Sequence, residues 1–166
     1  MKTFIIEKFP RIIKNRKRLE KKLNVRITNR GKEITIDGKP EDEYIAEKVI
    51  LALDFGFPFS TAMEIKKNDY EFEVLNIKDY TNKKNLGRIR ARIIGKKGRT
   101  LKTLAELTNC NFELKDNSVG IIGRSECIKN AQDSVTFVIR GSKQGNVYSY
   151  LEKHQVKPII DFGLKE

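Results

Sequence analysis

The chain has 166 residues, with 34 Lys or Arg against 22 Asp or Glu, so its formal net charge at pH 7 is +12. Its longest apolar run, residues 49–53, is too short to cross a bilayer, and charged residues interrupt the N-terminal apolar stretch before a signal-peptide core could form. We therefore expect a cytoplasmic protein with a polyanionic partner, either nucleic acid or an acidic membrane surface. The two cysteines and the single histidine lack metal-binding spacing, so we expect no metal site and no cofactor.

The apolar pattern at the start of the chain predicts a strand followed by helices. Residues 3–6 predict a short strand, and the apolar positions of the next segment share one helical face: Ile12, Leu19 and Leu23. Acidic residues 41–43 begin a further helix, where carboxylates complement the helix dipole. Three phenylalanines after this helix are expected to pack between domains rather than stack on bases: Phe55, Phe57 and Phe59.

An internal repeat indicates the domain organisation. Shifting the chain by 85 residues aligns residues 9–56 with residues 94–141 without a gap and gives eight identical pairs. Apolar positions coincide as well, as Ile50 does with Val135. Two related domains are therefore predicted.

The second copy predicts the order strand–helix–helix–strand–strand–helix. Apolar patterning predicts its three strands: residues 70–77, 111–114 and 119–122. Between the first two strands, the run Gly95-Lys96-Lys97-Gly98 separates two amphipathic helices. A long helix closes the copy, with Ser125 as its expected N-cap and Gly141 just past its end.

Charge is strongly segregated along the sequence. Residues 8–32 have a net charge of +10, residues 33–80 of −7 and residues 81–102 of +9, with no acidic residue in the last segment. Two basic segments separated by an acidic one argue against a single disordered basic tail. Nine unbalanced cations around a glycine-containing loop favour a polyanionic ligand, because such a patch repels itself unless a partner neutralises it.

The run Gly95-Lys96-Lys97-Gly98 has the chemistry of a phosphate-binding loop. Glycines allow a tight turn and remove side chains that would block a sugar–phosphate chain. The amides at the start of the following helix favour phosphate, and Lys96 and Lys97 add charge without base selectivity.

Residues 92–102 resemble the GxxG segment of a KH domain, whose loop clamps four nucleotides of a single strand. Nearly the whole chain is similar to the archaeal partner-of-Nob (Pno/Dim-type) family of KH-domain ribosome-assembly factors. The similarity comprises the two KH-like copies, the segment 70–80 that leads into the second copy, and the segment 145–152 that follows it. The resemblance implies an α+β fold of two tandem type I KH domains. Each would be a three-stranded antiparallel sheet packed against helices, and a C-terminal helical extension would follow.

The resemblance also implies function and partners. It implies binding to the single-stranded 3′ region of precursor small-subunit rRNA and partnership with the Nob-type endonuclease that trims this end. The alpha subunit of initiation factor two is a further implied partner, and no membrane partner is expected. The chain itself would then not be an enzyme, because trimming would come from the partner.

The expected domains are a degenerate KH-like domain without GxxG at 1–65, a KH domain with the GKKG loop at 66–143, and a C-terminal extension at 144–166. Nine residues of the second domain are expected at the RNA, through the loop backbone, phosphate-binding cations and one apolar side chain: Gly95, Lys96, Lys97, Gly98, Arg99, Arg88, Arg92, Ile94 and Lys102. Core packing alone would also explain the apolar one.

The first copy departs from the KH pattern. Opposite the GKKG run stand residues 10–13, which contain no glycine and follow the first strand too closely for a full preceding helix. This argues against a phosphate-threading loop in the first copy. Its basic residues are expected to face outward, for auxiliary RNA-backbone contact, for protein docking or, less favoured, as a passive solvated surface: Arg11, Lys14, Arg18, Lys21 and Lys22.

Two other functional classes remain open from the sequence. The chain could be a protein–protein scaffold that uses KH folds for docking, or another KH-type RNA-processing cofactor such as an exosome-associated protein. A nuclease is the least favoured reading, because the sequence offers no acidic metal cluster and no histidine pair.

Overall fold

The computed structural model describes residues 1–156, and the expected extension at 144–166 therefore falls partly outside the described residues. The described part contains six strands: β1 (Lys2–Ile5), β2 (Arg26–Arg30), β3 (Glu33–Asp37), β4 (Tyr70–Asn76), β5 (Asn111–Lys115) and β6 (Ser118–Arg124). It also contains eight α-helices: α1 (Phe9–Lys14), α2 (Arg16–Leu23), α3 (Pro40–Phe55), α4 (Phe59–Met63), α5 (Leu86–Ile94), α6 (Arg99–Thr108), α7 (Ser125–Ile139) and α8 (Gln144–Lys153). No helix among residues 1–156 is both long and apolar enough to cross a membrane.

The strands form two three-stranded antiparallel sheets of the same design. The first has the order β1-β3-β2 and the second the order β4-β6-β5, so the last strand of each copy lies in the middle. β2 and β5 are displaced by the 85 residues of the sequence repeat, as are the first residues of β3 and β6. The α+β architecture with two such sheets and their helices is confirmed.

Helices cover one face of each sheet. In the first half, α1, α2 and α3 supply apolar side chains that pack on the strands, including the fully buried Ile12, Leu19 and Leu53. The second core is built in the same way from α5, α6 and α7, with Ile93, Leu104 and Val135 fully buried. The apolar periodicity of the sequence thus marks the helix faces that contact the sheets.

The outer face of the second sheet packs against the first half. Phe55 and Phe57 lie at the end of α3 and contact Phe72 on β4, with ring centroids about 6 Å apart. A Cβ at Gly120 on β6 would lie 2.7 Å from Phe55 and 2.9 Å from Phe57, so only glycine allows this approach. Packing of these phenylalanines between the halves is confirmed. Phe59 instead lies beneath the Arg18 guanidinium, 4.1 Å from it.

Polar contacts also join the halves near β5. The Lys115 ammonium lies 2.7 Å from the carboxylate of Glu7, and this lysine lowers the pKa of that mostly exposed carboxyl group. On the same strand, partial burial raises the pKa of Glu113, although Lys8 and Arg11 oppose the shift. The first half therefore lies directly against β5, the strand that packs on α6.

The C-terminal helix α8 packs on α7. Val147 and Leu151 are buried in the second core, and the ring of Tyr150 meets Phe137 edge-on at 5.0 Å. α7 ends as expected, with Gly141 past its end at a φ of +95°. The expectation that Ser125 caps α7 is wrong: Arg124 is the N-cap. Ser125 lies inside the first turn, where its hydroxyl donates to the Asp69 carbonyl at 3.0 Å.

We predict that Asp54→Ala destabilises the protein by about 2–3 kcal/mol. Asp54 is buried on α3, and its carboxylate accepts hydrogen bonds from the amides of Glu7, at 2.9 Å, and Lys8, at 2.6 Å. Removing it leaves the turn between β1 and α1 without these acceptors. The free energy of unfolding in guanidinium chloride measures the effect. Asp37→Ala, at an exposed carboxylate of β3, is the control, and an equal loss in both variants would contradict the assignment.

Candidate nucleic-acid interface

A tight reversal of the backbone joins α5 to α6. α5 ends at Ile94, the GKKG run makes a single 3-10 turn, and α6 begins at Arg99. The chain takes positive φ at Gly95 (+76°), Lys97 (+55°) and Gly98 (+75°). The amide of Gly98 donates to the carbonyl of Gly95 at 3.2 Å and closes the turn. The sequence therefore predicted both the helix break and its place correctly.

The two glycines are required for different reasons. A Cβ on Gly95 would overlap the side chain of Thr100 and lie 2.7 Å from its backbone nitrogen. A Cβ on Gly98 would meet no atom within 4 Å, so this position needs only the left-handed backbone conformation. Open space beside Gly98 leaves room for another chain to pass close to the loop.

Four cations surround this turn and face solvent: Lys96, Lys97, Arg99 and Lys102. None of them forms an ion pair with an acidic side chain in the part of the chain that the structure describes. No side chain caps the start of α6, whose N-cap is Gly98. The loop thus combines an open backbone at Gly98, the positive end of a ten-residue helix without a side-chain cap, and unneutralised side-chain charge.

The arginines of α5 differ in their surroundings. Arg88 is exposed on the first turn of α5, as a phosphate-contacting residue requires. Arg92 is half-buried, and its Nη2 donates to the carbonyl of Ser142 at 3.0 Å. Arg90 lies between them and donates to the carbonyl of Asp116 in the β5–β6 turn at 3.3 Å. Of these arginines, only Arg88 is exposed.

The apolar residues near the loop are not equivalent. Ile94 is 39% exposed at the end of α5, so core packing does not account for it. Leu101 is half-buried, whereas Phe112 on β5 belongs to the second core. An exposed aliphatic side chain beside a cationic loop is suited to contact with a nucleobase or a ribose.

The first half has no corresponding loop. Residues 10–13, opposite the GKKG run, lie inside α1, and a single residue, Asn15, separates α1 from α2. The expectation that Arg11 faces outward is wrong, because its guanidinium donates to the carbonyls of Leu53 and Phe57. Lys14, Lys21 and the other expected basic residues of α2 are exposed.

The structure offers little for catalysis within residues 1–156. No group of three or more His, Cys, Asp or Glu side chains is positioned there to hold a metal ion. Burial raises the pKa of the Cys110 thiol to about 12, and it also raises the pKa of Cys127. Both thiols are therefore protonated at neutral pH and buried, which makes them packing residues rather than nucleophiles.

Two residues next to the loop escaped the sequence reasoning. Thr100 is 3% exposed and fills the space beside Gly95, and Gln144 at the start of α8 donates to the hydroxyl of Thr100 at 2.7 Å. Neither has a local sequence signal, because 44 residues separate them.

Comparisons with known proteins agree with this geometry. The family model that matches describes a eukaryotic type KH-domain (KH-domain type I) and covers residues 71–156, more than half of the chain. A KH domain-containing protein of Methanocaldococcus jannaschii is 28% identical over 149 residues, which cover 86% of this chain and 66% of that protein. The pre-rRNA-processing protein PNO1 of Saccharomyces cerevisiae is 30% identical over 78% of this chain and 51% of its own length. The chain thus spans slightly less than two thirds of the first relative and about half of the second.

Solved structures give the same result over most of the chain. Dim2p from Pyrococcus horikoshii is 28% identical and superposes with a TM-score of 0.85, over 92% of this chain and 98% of that one. A second structure from that organism, a complex of a/eIF2alpha, aDim2p and rRNA, matches with a TM-score of 0.83 and 28% identity over 92% of both chains. The KH-type loop between α5 and α6, the matched family model and these relatives lead to one conclusion: the chain belongs to the Pno/Dim-type family of KH-domain proteins.

Proposed function

We propose that this protein binds single-stranded RNA through the GKKG loop and its flanking helices. The observation that carries the proposal is the combination at the loop of an open backbone at Gly98, the positive end of α6 and unpaired cations. A phosphate beside Gly98 would meet the positive end of α6 and the ammonium groups of Lys96 and Lys97. Arg88, Arg99 and Lys102 would neutralise the phosphates on either side.

Contact with the bases would come from the apolar and polar surface next to the loop. Ile94 is exposed there, and β5 packs against α6. A single strand is favoured over a duplex because its bases can turn toward the protein while the backbone follows the loop. The GKKG loop would therefore supply affinity, and the neighbouring strand would supply selectivity.

The target that we propose is the 3′ region of precursor small-subunit rRNA. The support is family membership, together with the relatives: PNO1 proteins are pre-rRNA-processing proteins, and the Pyrococcus protein occurs in a complex with rRNA and a/eIF2alpha. By the same reasoning we propose the alpha subunit of initiation factor two as a protein partner. A Nob-type endonuclease that trims this RNA end is the second proposed partner, and both would meet the protein in the cytoplasm.

We propose that the protein assists RNA processing without catalysing it. The KH-type loop provides binding groups only, namely backbone amides, lysines and arginines. None of these groups is arranged with a general base or an activated nucleophile. Cleavage would therefore belong to the partner.

For the first half we propose a degenerate KH domain at 1–65, followed by the KH domain at 66–143 and the extension at 144–166. Support comes from the shared element order and from the equivalent sheet orders, β1-β3-β2 and β4-β6-β5. Without a loop between α1 and α2, this half would use the basic surface of α2 either for auxiliary RNA contact or for protein docking. A scaffold function for the whole chain is the alternative proposal, favoured by this half alone.

Charge reversal at the loop separates the RNA-binding and scaffold functions. We expect Lys96→Asp/Lys97→Asp to weaken binding of a short single-stranded RNA from the small-subunit rRNA 3′ end by at least about tenfold, measured by fluorescence anisotropy. Aspartate suits position 97 because it tolerates the left-handed backbone there. Circular dichroism checks that the variant is folded.

The matched control is Lys39→Glu/Lys129→Glu, which makes the same change in net charge at two exposed positions outside both basic surfaces, one just before α3 and one on α7. It should stay within about threefold of the wild-type affinity, because long-range electrostatic effects are screened at physiological salt. Scrambled and duplex RNAs of the same length test selectivity. Equal, weak binding by wild type and both variants would favour the scaffold function instead.

The salt dependence of RNA binding measures how many phosphates the loop region neutralises. If four to six phosphates are neutralised, a plot of log affinity against log salt should have a slope of roughly −3 to −4. Titrations between low and physiological salt provide the measurement. A slope near zero would contradict the electrostatic part of the proposal.

A further inference from the structure

The connection between α7 and α8 contacts both helices that flank the GKKG loop. The carbonyl of Ser142 accepts a hydrogen bond from Arg92 on the last turns of α5, at 3.0 Å. Two residues later, the side-chain amide of Gln144 donates to the hydroxyl of Thr100 on the first turn of α6, at 2.7 Å. One short segment is thus bound to α5 before the loop and to α6 after it.

Thr100 transmits this contact to the loop backbone. Its side chain is buried and packs so closely against Gly95 that a Cβ there would overlap it. A rotation of the Thr100 side chain would therefore displace Gly95 and alter the loop backbone. The hydrogen bond from Gln144 opposes this rotation, because it fixes the position of the hydroxyl.

The segment that makes these contacts is itself firmly held. α8 is attached to the second core through Val147 and Leu151, which are both about 1% exposed. At the other end, the amide of Ser142 donates to the carbonyl of Phe137 in α7 at 2.9 Å. The backbone of Gln144 is therefore held in place by packing of α8 and by the Ser142 hydrogen bond.

We propose that Gln144 is a positioning residue for RNA binding, which holds the GKKG loop in its binding conformation through Thr100, with Arg92 fixing the opposite helix. The proposal rests on the RNA-binding function proposed above. Gln144 carries no charge, so its removal changes the conformation of the loop without changing the number of cations that face the phosphates.

The expected consequence is a loss of affinity with an unchanged salt dependence. Gln144→Met keeps the length of the side chain and removes the donor, and we expect it to weaken binding of the single-stranded RNA by about three- to tenfold. Thr100→Val removes the acceptor at nearly constant shape and should have the same effect. In both variants the log–log salt slope stays at the wild-type value, because the phosphate contacts themselves remain.

The decisive experiment is a double-mutant cycle on RNA affinity with Gln144→Met and Thr100→Val. If the two residues act through their hydrogen bond, the double variant binds no more weakly than either single variant. Thr100→Ser keeps the hydroxyl and should bind close to wild type. Ser149→Ala, at an exposed position of α8, is the matched control and should leave affinity unchanged.

A second measurement reports on the loop itself. In amide ¹H–¹⁵N spectra of the free protein, the Gly95 and Gly98 signals should move in Gln144→Met and stay in place in Ser149→Ala. Thermal unfolding of Gln144→Met and Ser149→Ala should give midpoints close to that of wild type, since both positions are exposed and contribute little to the core.

The results separate this proposal from the one on which it depends. Wild-type affinity in Gln144→Met, or effects of Gln144→Met and Thr100→Val that multiply in the double variant, would overturn the positioning role. If Lys96→Asp/Lys97→Asp also bound RNA as wild type does, the RNA-binding function of the loop would fail instead. Selective binding that is lost in the lysine variant and retained in Gln144→Met would leave that function intact and refute only the inference about Gln144.

Discussion

Gly95 and Thr100 pack together with no room for another carbon atom, and the loop end of the second half is arranged around this contact. α5 has to reverse into α6 within four residues, which requires left-handed backbone at three of them. The reversal places Lys96 and Lys97 at the tip of the turn, beside the positive end of α6. Charge can be supplied from several neighbouring positions, but the space beside Gly95 can be provided only by glycine.

The sequence predicted the fold well wherever the determinants are local. Apolar periodicity located the strands and helices of the second half to within a few residues, and the repeat explains why both sheets share one strand order. The failures concern side chains whose partners are distant in sequence. Ser125 has the residue type of an N-cap but bonds to the Asp69 carbonyl, 56 residues away, and Arg11 turns inward to carbonyls at the end of α3. Helical spacing could not reveal either partner.

The same difference between local and distant determinants applies to the candidate site. The loop and its exposed cations could be recognised because glycine spacing and unbalanced charge are properties of a short segment. The differing positions of Arg88 and Arg92 could not, since Arg92 is held by a carbonyl 50 residues further on. The sequence also could not decide whether Ile94 belongs to the core, because its burial depends on where α5 ends relative to the sheet. Tertiary contacts, rather than local propensity, decide these cases.

The contact of Phe55 and Phe57 with Gly120 fixes the orientation of the first half relative to the second sheet. The sheet β4-β6-β5 has helices on one face and the first half on the other, and the two cores meet through aromatic rings. The two halves therefore cannot turn independently, as domains on a flexible linker would. The basic surface of α2 is therefore kept at one distance and angle from the GKKG loop.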